Sequence, residues 1–146
     1  MVKILVKKFD QKIKLPVYKT PGSSGMDLIA NIKKKIIINP GKTAIIPTGI
    51  AVAIPNKYEI QIRPRSGLAA KNSISVLNTP GTVDSDYRGE IKIILINLGK
   101  KSFIINSGDR VAQMILCPIA KCKINEVKTL PKTFRNKGGF GSTGKK

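Results

Sequence analysis

Histidine does not occur anywhere in this 146-residue chain. Its absence excludes Ser-His-Asp triads, histidine-ligated zinc and imidazole acid–base catalysis. A general base working near neutral pH must then be a carboxylate, a lysine or a cysteine. Cysteine is nearly as scarce: Cys117 and Cys122, in CPIAKC, are the only two. That spacing fits neither a CxxC redox pair nor a zinc knuckle, so free thiols in a reducing, cytoplasmic compartment are expected. Three Tyr and four Phe lie scattered, too few to supply a base-stacking platform. Long apolar runs are missing too. The longest, residues 44–54, is broken by Pro47 and closed by Pro55, and the start MVKILVKKFDQK is too short an apolar run for a signal peptide. Neither export nor membrane insertion is expected. Negative charge is the last shortage: eight Asp and Glu face 27 Lys and Arg, a net charge of +19. Such an excess favours polyanionic partners, including nucleotides and nucleic acid. Lysines such as Lys33, Lys34, Lys35, Lys100 and Lys101 flank expected strands, however, where they also protect sheet edges.

The length suits one domain with a single sizeable core. Apolar periodicity is almost entirely of the β type. Short runs at residues 3–6, 36–38, 43–46, 50–54, 58–62, 74–77, 91–96, 103–105, 111–117 and 124–127 predict strands of a sandwich or barrel. Asn39-Pro40-Gly41, Ile54-Pro55-Asn56, Leu98-Gly99-Lys100 and Asn106-Ser107-Gly108 supply turns between them. Only residues 66–72 look helical. From Arg135 the sequence RNKGGFGSTGKK has almost no core-forming side chain and reads as a mobile tail.

Of the eight acids, Asp84, Asp86 and Glu90 fall on one tight turn that also carries Tyr87 and feeds a buried strand. Four further polar, glycine-marked segments stand apart from the strands. PGSSGMDL (residues 21–28) reads on its own as a loop closing in an Asx turn. PRSGLA (64–69) places Arg65 and Ser66 at the start of the short helix, as a plain N-cap or as an anion site. GDRVAQ (108–113) reads as a hairpin turn with Gln113 entering the next strand. The tail glycines lack the GxxxxGK[ST] spacing of a P-loop.

Taken in order, GSSGMDL, RPRSGLA, LNTPGTVDSDYRGE, GDRVAQ and RNKGGFGSTG resemble the five motifs of the trimeric dUTPase family, over residues 22–144. The resemblance implies an all-β, distorted jelly-roll barrel with one short helix. It also implies a homotrimer with shared active sites, built from a jelly-roll domain (residues 1–134) and a C-terminal arm (135–146) that closes over the site. The implied reaction is Mg²⁺-dependent hydrolysis of dUTP to dUMP and pyrophosphate, limiting uracil in DNA and supplying dUMP for dTMP synthesis.

Residue by residue, the resemblance makes Asp84 the base that activates water at the α-phosphorus and receives the sugar 3′-hydroxyl. Asn78, Thr82 and Val83 belong to the hairpin that holds uracil, and Tyr87 packs beneath deoxyribose where a ribose 2′-hydroxyl would collide. Arg65, Ser66 and Gly67 map to phosphate contacts, Gln113 to the α-phosphate and water, and Arg135 to the γ-phosphate. Phe140 is expected to stack on uracil while Gly141, Ser142 and Thr143 close on the phosphates. Lys92 aligns near the base pocket. Asp27 is placed near the hydrated metal, with Mg²⁺ held chiefly by the substrate phosphates, as suits a hard cation that keeps its waters.

Met26 and Asn136 depart from the family pattern, the first as a packing variation, the second at the hinge of the tail. A dCTP deaminase would share the fold but needs a glutamate on the strand past the hairpin, and residues 91–97 contain no acid. A basic β-barrel binding nucleic acid is the other reading left open by the charge.

Overall fold

The computed structural model describes residues 1–139, and Phe140, Gly141, Ser142 and Thr143 lie outside the described residues. Isoleucine and valine dominate the strands; their branched Cβ atoms suit a pleated, half-buried surface better than a helix. A four-stranded sheet runs in the order β2 (Met26–Ile29), β11 (Arg110–Pro118), β6 (Tyr58–Arg63), β8 (Gly81–Val83). A three-stranded sheet is built from β4 (Thr43–Pro47), β9 (Lys92–Asn97) and β7 (Ile74–Val76). Two antiparallel pairs complete the fold: β1 (Leu5–Lys8) with β5 (Ile50–Ala53), and β3 (Ile36–Ile38) with β10 (Phe103–Ile105). The one helix among the described residues, α1, spans Ser66–Asn72 between β6 and β7. Every strand pairing is antiparallel, giving an all-β, distorted jelly roll.

Alternation decides which side chains enter the core. In β9, Ile93 and Leu95 point inward while Lys92 stays exposed; in β6, Ile60 and Ile62 are buried while Glu59, Gln61 and Arg63 line the outer face. Side chains of β2 to β11 join in one apolar cluster that includes Leu28, Ile38, Ile46, Ile50, Ile60, Ile74, Ile93, Ile105 and Met114. Two polar side chains are buried with it, Thr48 and Asn97. Asn97, 0% exposed, donates to the carbonyls of Ile38 and Lys101 (2.8 Å each) and accepts from Gly99 N at 2.9 Å. It thereby ties the end of β9 to β3 and to the following turn, with both amide donors engaged and its oxygen accepting once.

Several expectations shift. The first strand begins two residues later than periodicity suggested, at Leu5. The MDLI segment, read as a loop, is β2, because Met26 and Leu28 fill the core in strict alternation with Asp27. Residues 124–127 form no strand: Ile124 is 88% exposed, and these residues make no backbone hydrogen bond among the described residues. The N-cap of α1 is Arg65, extended at φ −90°, with no side-chain cap bond, so the Ser66 hydroxyl does not cap the helix.

Candidate active site

The predicted residues collect in two places. Around the hairpin, Asn78, Thr82, Val83, Asp84, Tyr87 and Lys92 all line one cavity of about 220 Å³. β8 builds one wall because it is held against β6, with Ile62 opposite Gly81 and Ile60 opposite Val83. A Cβ on Gly81 would stand 3.1 Å from Asn78 Nδ2 and 3.4 Å from Ile62 Cβ, so glycine lets the hairpin backbone approach closely there.

The three hairpin acids have separate roles. Asp84 is exposed, and its carboxylate has no hydrogen bond or ion pair among the described residues, so both oxygens are available to a ligand or a water. Glu90 is committed: its Oε1 accepts from Gly49 N at 2.7 Å, anchoring the entry of β9 to the turn between β4 and β5. Asp86 is exposed and caps nothing. The turn is held instead by the Arg88 guanidinium, whose Nη1 donates to the carbonyls of Ser85 (2.7 Å) and Tyr87 (2.8 Å).

The second collection lies on the outer face of the four-stranded sheet. Register sets Asp27, Gln113 and Arg63 side by side on β2, β11 and β6. Asp27 Oδ1 accepts from Arg65 Nε at 2.9 Å and Oδ2 from Arg110 Nη1 at 3.2 Å, while Arg65 Nη1 also donates to the Arg110 carbonyl at 3.2 Å. These contacts hold two guanidiniums side by side against their mutual repulsion and leave Arg65 Nη2 unengaged among the described residues. Gln113 Nε2 donates to the Pro64 carbonyl at 3.0 Å, which fixes the approach to Arg65, Ser66 and Gly67. The result is a cationic cradle with fixed donors, suited to phosphate oxygens. Arg110 was not singled out from the sequence, although it stands in the same GDRVAQ segment as Gln113.

Arg135 is not brought to either place by a described contact; its Nε donates to the Gly138 carbonyl at 2.7 Å. No group of three or more Cys, Asp or Glu among the described residues is arranged to hold a metal ion. No described helix is long and apolar enough to cross a membrane.

The cavity and the cradle are far apart within the chain. Asp84 follows Val83, which lies opposite Ile60, whereas Arg65 is five residues further along from Ile60. At roughly 3.3 Å per residue the strand portion alone sets Arg63 about 10 Å along the sheet from Ile60.

Comparison with known proteins places these features in context. Residues 11–144 match the family model described as dUTPase. The chain is 60% identical over 130 residues to the deoxyuridine 5′-triphosphate nucleotidohydrolase of Rickettsia canadensis, covering 89% of this chain and 88% of that one. It is 52% identical over 145 residues to the protein of the same description from a Hydrogenobaculum species, covering 99% and 100%. Among solved structures, a staphylococcal bacteriophage 80alpha dUTPase with dUpNHpp superposes with a TM-score of 0.87 at 22% identity, over 97% of this chain and 98% of that one. A dUTPase of Staphylococcus aureus phage phi11, described with a structural Mg(II) ion, gives 0.80 at 20% identity, over 89% and 99%.

Proposed function

This chain belongs to the dUTPase family, and from that premise we propose that it hydrolyses dUTP to dUMP and pyrophosphate, with Asp84 activating water at the α-phosphorus. The observation that carries the reading is the cavity in which Asp84, with both carboxylate oxygens available, shares its walls with Asn78, Tyr87 and the Gly81–Val83 strand. In-line attack needs a base beside the water and cationic donors on the phosphates. Asp84 supplies the first; Arg65, Arg110 and Gln113, with Ser66 and Gly67 at the start of α1, supply the second. The hairpin backbone reads uracil, and a cytosine would leave buried groups unpaired at a cost of about 1–3 kcal/mol each. Tyr87 closes the pocket beneath the sugar, where the 2′-hydroxyl of UTP would meet its ring. Lys92 borders the same cavity.

Three chains complete one another's sites. The hairpin with Asp84 and the cradle with Arg65 lie toward opposite ends of β6, and a substrate bound by one chain's hairpin would take the cradle of another. A homotrimer supplies that arrangement by a heterologous, closed interface. The segment from Arg135, with Phe140, Gly141, Ser142 and Thr143, serves as the arm that closes on the bound nucleotide.

Mg²⁺, when bound, would be held chiefly by the substrate phosphates and would supply charge neutralisation for the leaving pyrophosphate. Asp27 spends one bond of each oxygen on an arginine, and a carboxylate has about four acceptor sites, so it retains capacity for a metal-bound water. The activity limits uracil in DNA and yields dUMP for dTMP synthesis. The direct test is incubation with dUTP, dCTP, UTP and single-stranded DNA, with separation of products and complexes. Pyrophosphate from dUTP alone is expected; deamination of dCTP, or tight DNA binding without turnover, would overturn the reading.

A further inference from the structure

Tyr87 is 45% exposed and lies outside the apolar core, so packing does not fix its ring. Its hydroxyl donates to the Glu90 carbonyl at 3.0 Å, and its ring lies directly over the backbone of Gly89. A Cβ on Gly89 would collide with the Tyr87 hydroxyl oxygen and stand 2.9 Å from Cε2. Gly89 does not have a positive φ, so its backbone conformation is open to any residue. The glycine is required by the ring above it.

The carbonyl that receives the tyrosine hydroxyl is itself a fixed point. Glu90 Oε1 takes Gly49 N at 2.7 Å, Ile91 N donates to the Ile50 carbonyl at 2.9 Å, and Thr48 donates to the Ile91 carbonyl through Oγ1 at 2.7 Å. Gly49 cannot move to follow a displaced Glu90: its φ is +70°, and Ile13 and Asn31 occupy the space around it. At the other end, Tyr87 N donates to the Asp84 carbonyl at 3.2 Å, and Arg88 clamps the carbonyls of Ser85 and Tyr87. Both ends of the tyrosine are held, and the plane between them rests on a residue without a side chain.

We propose that Gly89 and Glu90 form a mount that sets the Tyr87 ring, and that Gly89 is thereby a positioning residue for the choice of deoxyribose over ribose. The inference rests on the reading of Tyr87 as the wall beneath the sugar. A methyl group at position 89 is accommodated by swinging an exposed ring, which costs little stability. It moves the surface that meets the 2′-hydroxyl, and misplacement by about 1 Å at a site can cost on the order of 100-fold in rate.

The test measures kcat/KM for dUTP and UTP in the full-length wild type, Gly89→Ala, Tyr87→Ala and the double variant, with thermal denaturation of each. Gly89→Ala is expected to raise the UTP-to-dUTP ratio about tenfold and to lower Tm only slightly. In the Tyr87→Ala background the same substitution is expected to have no effect on the ratio, because the ring it displaces is gone. An unchanged ratio in Gly89→Ala, or an equal effect with and without the ring, overturns the proposal. If Tyr87→Ala itself leaves the ratio unchanged, the sugar-wall reading fails and the proposal falls with it; a shifted ratio in Tyr87→Ala alone sinks only the mount. Should Gly89→Ala not fold, Glu90 decides. Glu90→Gln keeps an acceptor for Gly49 N and is expected to hold the wild-type ratio, and Glu90→Leu to raise it; equal ratios in the two would refute the mount.

Discussion

Mixing two inactive variants tests the division of the site between chains. Asp84→Asn removes the proposed base but leaves the cradle of Asp27, Arg65 and Arg110 intact, while Arg65→Ala breaks the cradle and leaves Asp84 in its cavity. Were both halves to serve one substrate within a chain, every site in a mixture would carry a defect. The register of β6 against β8 sets the two halves toward opposite ends of β6, which motivates the shared-site proposal. In the proposed closed ring each site would take its cradle from one chain and its hairpin from the next. For random trimers from equal amounts of the two variants, about a quarter of the sites unite an intact cradle with an intact hairpin. Activity of the mixture, after co-refolding and with hybrid formation confirmed by native mass spectrometry, is therefore expected near 25% of wild type by the same count, against almost none for either variant alone. Recovery absent from confirmed hybrids would refute the shared site. So would a wild-type enzyme that is active as a monomer.

Three further outcomes are expected. Asp84→Asn alone should lower kcat by about 10²-fold or more, since general-base catalysis contributes on that scale, while calorimetry still detects binding of a non-hydrolysable dUTP analogue; wild-type turnover would remove Asp84 from the mechanism. Asn97→Ala strands the buried Ile38 carbonyl, worth about 1–3 kcal/mol without a partner, while the half-buried Gly99 amide and the exposed Lys101 can turn to water, and urea unfolding should register a loss of about 1–3 kcal/mol. Charge predicts an unusual salt response: only two ion pairs occur among the described residues, both on Asp27, in a chain of net charge +19. Raising sodium chloride from about 0.01 M to 0.15 M shortens the Debye length from about 30 Å to 8 Å, so Tm should rise as lysine repulsion is screened; a falling Tm would mean that ion pairs dominate after all.

The sequence made the β architecture and most of its strands legible because isoleucine runs with turn residues between them leave few alternatives. It failed where a strand carries polar residues by design. β2 contains Asp27 between Met26 and Leu28, and β8 is Gly-Thr-Val, so neither gives an apolar run long enough to register as periodicity. Both border the site, which is why their exposed positions are given to polar and small residues. The opposite error at residues 124–127 has a matching cause. Alternating apolar side chains permit a strand, but a strand also needs a partner edge, and sequence periodicity carries no information about one.

The concentration of acid around Tyr87 shows the same limit at the level of single side chains. Asp84, Asp86 and Glu90 are indistinguishable as a local charge cluster, and chemistry alone would allow any of them to act as base or to approach a cation. Structure separates them by what their oxygens already hold. Glu90 has its carboxylate on a buried amide of the neighbouring turn, and removing it from that bond would free the start of β9. Asp86 faces solvent beyond the cavity lining, and the turn it sits on is closed by Arg88, so its charge is dispensable to the local geometry. Asp84 alone is both unengaged and placed on the cavity wall, which are the two conditions a general base must meet before its acidity matters. The arginines divide in the same way: Arg88 is consumed by two carbonyls of its own turn, whereas Arg65 and Arg110 are held by Asp27 with donors to spare. A scarce supply of carboxylates thus takes three separate places: one left unengaged on the cavity wall, one anchoring the hairpin that carries it, and one on β2 holding two arginines together.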